Sequence, residues 1–345
     1  MISPRSCRWL RATPTRSIGG SSANRVGPLE TIALDIHTHL IPVQDAAVVA
    51  SEGVWWDAGS SSLTIDGHAV GVKRLFSPSA LLEWLSSNRI GAAYVSAPPP
   101  LYRQHLAEEA SAQWFARVHD GLVAQTQVDP SRLTALPHLP IEHPDLAVQI
   151  AGDAVRRGIT RFSAPSGAPG RMLSEKAYES LWRVLNDGKA FVLIHPGEAT
   201  DERLAPFYLG NLLGNPYETT VAIAHLVFGG IVARFPDITF CFAHAGGAAA
   251  MLAGRFQKGF ETDRPGVDRS LPAPRSLLKR LAVDCIAHDR EAFRLTQSIF
   301  GASRIVFGSD WPFPMGLLDP HAQLSELSPD DRAAIFQGNN AAVVG

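Results

Sequence analysis

The chain has 345 residues, 46% of them hydrophobic and 19% charged, with a formal net charge of −2. So much apolar content at so little net charge excludes a disordered protein, and the lack of a basic excess argues against a nucleic-acid binder. No uninterrupted apolar run reaches the ~18 residues of a membrane-spanning helix, and three scattered cysteines (Cys7, Cys241, Cys285) form neither a disulfide framework nor a cysteine zinc site, which suits a reducing cytoplasm.

In chain order, residues 1–30 come first, with Arg5, Arg8, Arg11, Arg16 and Arg25 and no acid before Glu30. Such a segment cannot bury a core and reads as an unstructured extension. From 31 to 345 the sequence reads as one domain. Eight short apolar segments recur there: Ala33–Leu40, Ile90–Ala97, Leu133–Leu139, Ile159–Ala164, Phe191–His195, Ile238–His244, Leu281–Ile286 and Arg304–Asp310. Several are continuous apolar runs rather than alternating ones, as expected of parallel strands covered on both faces. The stretches between them carry helix punctuation, such as His143-Pro144-Asp145 opening a helix that Gly158 closes. Eight strand–helix alternations predict a (β/α)8 TIM barrel. A doubly wound open sheet is the alternative, but no G-x-G-x-x-G follows the first strand.

One interval breaks the rhythm. The stretch at about residues 45–76 holds Trp55-Trp56-Asp57 and then Leu63-Thr64-Ile65-Asp66-Gly67-His68, a short strand and a tight turn. It predicts a small β-containing insertion between the first two barrel strands, expected over the mouth.

Polar residues close four of the apolar runs. The first run ends His37-Thr38-His39, whose two imidazoles share one face of a strand because side chains alternate. His195 ends the fifth, with Pro196 stopping the ladder, His244 ends the sixth, and Asp310 ends the eighth. Each alone would pass for a satisfied core residue or a helix cap. Together they would share one rim, where unpaired burial is costly, and a divalent ion held by His37, His39, His195 and Asp310 would satisfy them jointly. His244 would be left free to move protons. His288 and Glu198 are further pocket candidates, weighed against a surface histidine and a solvated loop carboxylate, and His138 faces either the mouth or a loop.

These motifs resemble the amidohydrolase superfamily, and their fuller wording is similar to the aminocarboxymuconate-semialdehyde decarboxylase family. The resemblance rests on Asp35-Ile36-His37-Thr38-His39-Leu40-Ile41-Pro42, His195-Pro196, His244-Ala245-Gly246-Gly247, Gly308-Ser309-Asp310-Trp311-Pro312-Phe313-Pro314 and the stretch from Glu218 to Pro236. It implies one divalent metal on His37, His39, His195 and Asp310, most often zinc, with manganese the alternative. It also implies His244 as acid/base beside metal-bound water, with Asp310 assisting. Arg255 would reach a substrate carboxylate in the neighbouring subunit, so a homodimer is implied. Trp311 and Phe313 are expected against the substrate. The family's further carboxylate-binding arginine falls at Ala69, which leaves His68 or Arg74 as substitutes, and the fourth strand ends Ser163-Ala164-Pro165 without the lysine of two-metal relatives. The expected activity is non-oxidative decarboxylation of a small unsaturated, aromatic or heteroaromatic carboxylic acid, with a hydrolase or hydratase of the same scaffold as runner-up.

Overall fold

The computed structural model describes residues 30–197 and 201–344, so the arginine-rich extension up to residue 29 and Glu198 lie outside the described residues. The chain begins with β1 (Ile32–His39) and then forms a small antiparallel sheet of β2 (Val54–Asp57), β3 (Ser62–Ile65) and β4 (His68–Val70). The barrel continues with β5 (Ile90–Ser96), β6 (Leu133–Ala135), β7 (Arg161–Pro165), β8 (Phe191–His195), β9 (Thr239–Phe242), β10 (Ala282–Asp284) and β11 (Ile305–Val306).

The parallel ladders run β1-β5-β6 and β7-β8-β9-β10-β11. Backbone bonds close both gaps. Parallel bridges pair His138 with Ser163 and Thr38 with Trp311. Alongside the second, the Ile36 N–H donates to the Phe307 carbonyl at 3.0 Å and the Asp310 N–H to the His37 carbonyl at 2.8 Å. Eight parallel strands in chain order, with helices between them, make the barrel the sequence predicts. Several strands are shorter than expected, β6 and β11 by the most. Pro137 and Pro140 remove ladder donors after β6, and beyond Val306 the chain leaves β10 to bond across to β1.

Period-two alternation sorts each strand. In β8, Val192 and Ile194 pack outward against the helices, while Phe191 and Leu193 join Ile36, Tyr94, Leu136, Cys241, Ala282 and Val306 in a separate apolar plug. His195, Asp284 and Asp310 share the inward parity of Leu193, Ala282 and Val306, so they stand on top of that plug. In β1 the register shifts between Asp35 and Thr38. Such an irregularity re-aims side chains, and here it lies between the plug residue Ile36 and the two histidines.

The insertion is a three-stranded meander whose second hairpin turns at Asp66-Gly67, both with positive φ as a type I′ turn needs. Arg103, in the loop after β5, grips the Asp66 carboxylate with two bonds of 2.6 and 2.7 Å. The insertion is thereby tied to the loop after β5, and residues 45–76 are not among those lining the two cavity lobes described below.

His138 turns into the core. Its ring stacks between Tyr102 and Phe115, with centroids 4.4 and 4.6 Å away, and burial pushes its pKa down to about 3. Below the ordinary value of 6.5 the unfolded chain takes up a proton that the folded protein refuses. Stability from this residue is thus complete above that value and lost as pH falls toward 3, at up to about 1.4 kcal/mol per pH unit. The urea midpoint of His138→Leu should fall less between pH 7 and pH 5 than that of the wild type. An equally steep fall would place the acid sensitivity elsewhere.

Candidate metal centre

Four side chains converge at the C-terminal rim. His37, His39, His195 and Asp310 are all buried, and one donor atom from each lies within 4.8 Å of the others. The His37 and His39 Nε2 atoms are 3.1 Å apart, and they lie 3.3 and 3.2 Å from Asp310 Oδ1, with His195 Nε2 at 4.0 Å. Each histidine is oriented from behind. The Nδ1 of His37 meets Asp284 Oδ2 at 2.8 Å, that of His39 meets the Ser96 hydroxyl at 3.1 Å, and that of His195 meets the Pro196 carbonyl at 2.8 Å. Such outer contacts fix the tautomer and turn Nε2 inward.

The donors fit a divalent ion by two independent signs. His195 Nε2 and Asp310 Oδ1 are buried atoms with no hydrogen-bond partner, an arrangement that costs free energy unless something binds them. The charge balance also calls for a cation. Burial disfavours charge on His37, yet the carboxylates of Asp310 and Asp284 outweigh it and raise its pKa to about 10. His195 is held well below its ordinary value by burial and by the neighbouring imidazoles. Burial works against the ionised form of Asp310, but the surrounding histidines keep its pKa well below the carboxylate range. Three nitrogens and one carboxylate oxygen form a donor set suited to zinc or manganese.

His244 stands beside this set. Its Nε2 is 3.5 Å from Asp310 Oδ2. Both residues have left-handed backbone, with φ of 56° and 58°, a conformation that non-glycine residues keep mainly where surrounding structure enforces it. For His244 that enforcement is Asp284, which accepts the N–H of His244 at 2.9 Å and of Ala245 at 2.8 Å while also holding His37. Gly308 permits the close approach, since a Cβ there would lie 2.9 Å from the Cβ atoms of both His37 and Asp284.

Asp284 was open to detection from sequence as an acid inside the apolar run Ala282-Val283-Asp284-Cys285-Ile286, although the sequence reading passed over it. Ser96 carries no comparable signal. Among the other candidates, Phe313 lines the cavity and meets the His39 ring edge-on at 5.5 Å. Trp311 does not reach the cavity. Its indole is fully buried and lies against Trp84. His68, Arg74 and Arg255 are exposed and line no part of this chain's cavity, whereas His288 does line it.

The cavity holds about 590 Å³ and reaches His195, His244 and Asp310 at its floor. Pro99, Pro100, Tyr208, Phe313, Pro314 and Met315 supply an apolar wall. The arrangement can bind a flat, partly apolar anion over a metal, with an imidazole positioned to exchange a proton.

A protein-family model described as amidohydrolase matches residues 34–345. A 2-amino-3-carboxymuconate-6-semialdehyde decarboxylase from Dictyostelium discoideum is 24% identical over 91% of this chain and 92% of its own. Among solved structures, 5-carboxyvanillate decarboxylase from Sphingomonas paucimobilis superposes with a TM-score of 0.76 at 16% identity, covering 91% of this chain and 99% of that one. An aspartate-to-asparagine mutant of the Novosphingobium aromaticivorans 5-carboxyvanillate decarboxylase, solved with manganese and 3-methoxy-4-hydroxy-5-nitrobenzoic acid, gives 0.71 at 18%, over 91% and 98%.

Proposed function

We propose, from the premise that this chain belongs to the amidohydrolase family, that it is a metal-dependent non-oxidative decarboxylase of a small aromatic or unsaturated carboxylic acid. The observation that carries this reading is the buried His37–His39–His195–Asp310 convergence with His244 beside it, at the floor of an apolar-walled cavity. The decarboxylase from Dictyostelium, alike over nearly the whole length of both chains, supports the reaction type.

His37, His39, His195 and Asp310 would hold one divalent ion, zinc or manganese; manganese occupies the Novosphingobium relative. Once bound, it would stabilise negative charge on the substrate and lower the pKa of water. His244 Nε2 delivers a proton to the ring or alkene carbon that bears the carboxylate. The C–C bond to that carboxylate then breaks, its electron pair returns to the conjugated system, and CO2 leaves. Asp310 orients His244 through its second oxygen, while the proline and aromatic wall keeps the substrate plane fixed and excludes water.

A homodimer fits the surface. Phe207, Tyr208, Leu212, Leu213 and Tyr217 are exposed, and so is Met251 one helical turn before Arg255. Isolated exposed apolar side chains are ordinary, but this many near the cavity support an interface between copies. Arg255 of the second copy would then meet the substrate's anionic group.

Mass spectrometry of products, after incubating zinc- or manganese-loaded protein with hydroxy- and amino-substituted aromatic, heteroaromatic and muconate-type acids, tests the reaction. Loss of CO2 is the expected result. Addition of water with every carbon retained would replace decarboxylation by hydration or hydrolysis on the same site.

A further inference from the structure

The cavity has a second lobe. A space of about 220 Å³ shares Asn211, Asn215, His244, Asp310 and Met315 with the larger one and continues past Ile286 and Thr296 to the exposed His288. Asn211 and Asn215 thus border both lobes at the point where the metal donors and His244 are reached. Both are half-buried, and among the described residues neither side-chain amide makes a hydrogen bond to protein.

Both lie at one irregularity of the backbone. Residues Gly210–Gly214 form one π-helical turn before the helix Asn215–Phe228 begins, so Asn211 lies in that turn and Asn215 follows it directly. Such turns are frequent at functional sites.

We infer that Asn211 and Asn215 together hold an uncharged hydrogen-bonding substituent of the substrate, so that the preferred acid is a hydroxy- or methoxy-substituted aromatic monocarboxylic acid. The inference deepens the decarboxylase reading and rests on it for the orientation of the carboxylate. Two amides offer donors and acceptors together, which a hydroxyl or ether oxygen satisfies. They offer no charge. Among the described residues of this chain that line either lobe there is no arginine or lysine, and the ionisable ones are histidines, Tyr208 and Asp310. A second carboxylate directed at the amides would find no counter-charge from this chain, with Arg255 of the second copy assigned to the first carboxylate, and its desolvation costs more than neutral hydrogen bonds return.

Calorimetric binding to the metal-loaded protein tests this without turnover, using benzoate, meta- and para-hydroxybenzoate, and benzene-1,3-dicarboxylate. The wild type should bind at least one hydroxybenzoate more tightly than benzoate and gain nothing from the second carboxylate. Asn211→Leu or Asn215→Leu should reduce that preference about fivefold, the worth of one neutral hydrogen bond. Asn215→Gln should restore part of it. Affinity for benzoate reports whether each variant is folded and loaded, because benzoate lacks the substituent. The inference is overturned if the hydroxyl preference is missing, if it survives in both leucine variants, or if the dicarboxylate binds best. Hydroxyl preference lost in the variants, together with no CO2 released from any acid, would keep this assignment and remove the decarboxylase reading.

Discussion

Replacing His244 by Asn lowers kcat by about 10²–10⁴-fold and leaves metal content unchanged. The magnitude is that of losing a positioned general acid or base. Retention of metal follows from geometry, because the four converging donors are His37, His39, His195 and Asp310, and the polar contact of the His244 ring with them is to the outer oxygen of Asp310. Asparagine suits the position, since it accepts the left-handed φ of 56° at residue 244 better than alanine and preserves the N–H that Asp284 accepts. Elemental analysis alongside steady-state kinetics checks both halves. Wild-type turnover would remove His244 from the reaction, and loss of metal would make it a ligand instead.

Replacing Asp310 by Asn has the opposite signature. Metal stoichiometry falls to near zero, and activity drops with it by at least ~10³-fold, equivalent to about 4 kcal/mol of transition-state stabilisation. Asp310 is the one anion among the four donors, and its Oδ1 sits 3.3, 3.2 and 4.0 Å from the three imidazole Nε2 atoms. A neutral amide of the same shape leaves a divalent cation among neutral nitrogens, with only Asp284, on the far side of the His37 ring, to offset its desolvation. Adding zinc or manganese should raise the melting temperature of metal-free wild type, because only the folded state assembles the site, and leave that of the variant unmoved. A variant that still binds metal tightly would show that the histidines suffice.

The sequence displayed the barrel because parallel strands packed on both faces must be apolar throughout, which made Phe191–His195 and Ile238–His244 conspicuous. The donors His195 and Asp310 were legible for a related reason: each is a polar residue on the inward parity at the end of such a run. The same rule applies to Asp284, which the sequence reading passed over, whereas nothing local showed that the Trp311 indole is buried against Trp84 instead of lining the cavity. Other features had no local signature. The π turn at Gly210–Gly214, at which Asn211 and Asn215 lie, follows no residue period. The shift in β1 is a relation between strands, invisible in either one. The insertion's tie to the loop after β5 was hidden because it depends on Arg103, 37 residues beyond Asp66.

The Asp284 carboxylate accepts from the His37 ring and from the backbone of His244, the proposed proton carrier. A candidate metal donor from β1 and that histidine from the end of β9 are thereby referenced to one point on β10. When the barrel breathes, both shift together, so the spacing between them is insulated from motions that reshape the walls. Substitution at Tyr208, Asn211 or Phe313 can then alter which molecule enters without detuning the reactive geometry. A lineage built on this anchor can diversify its substrates by drift at the rim while the chemistry beneath stays in register.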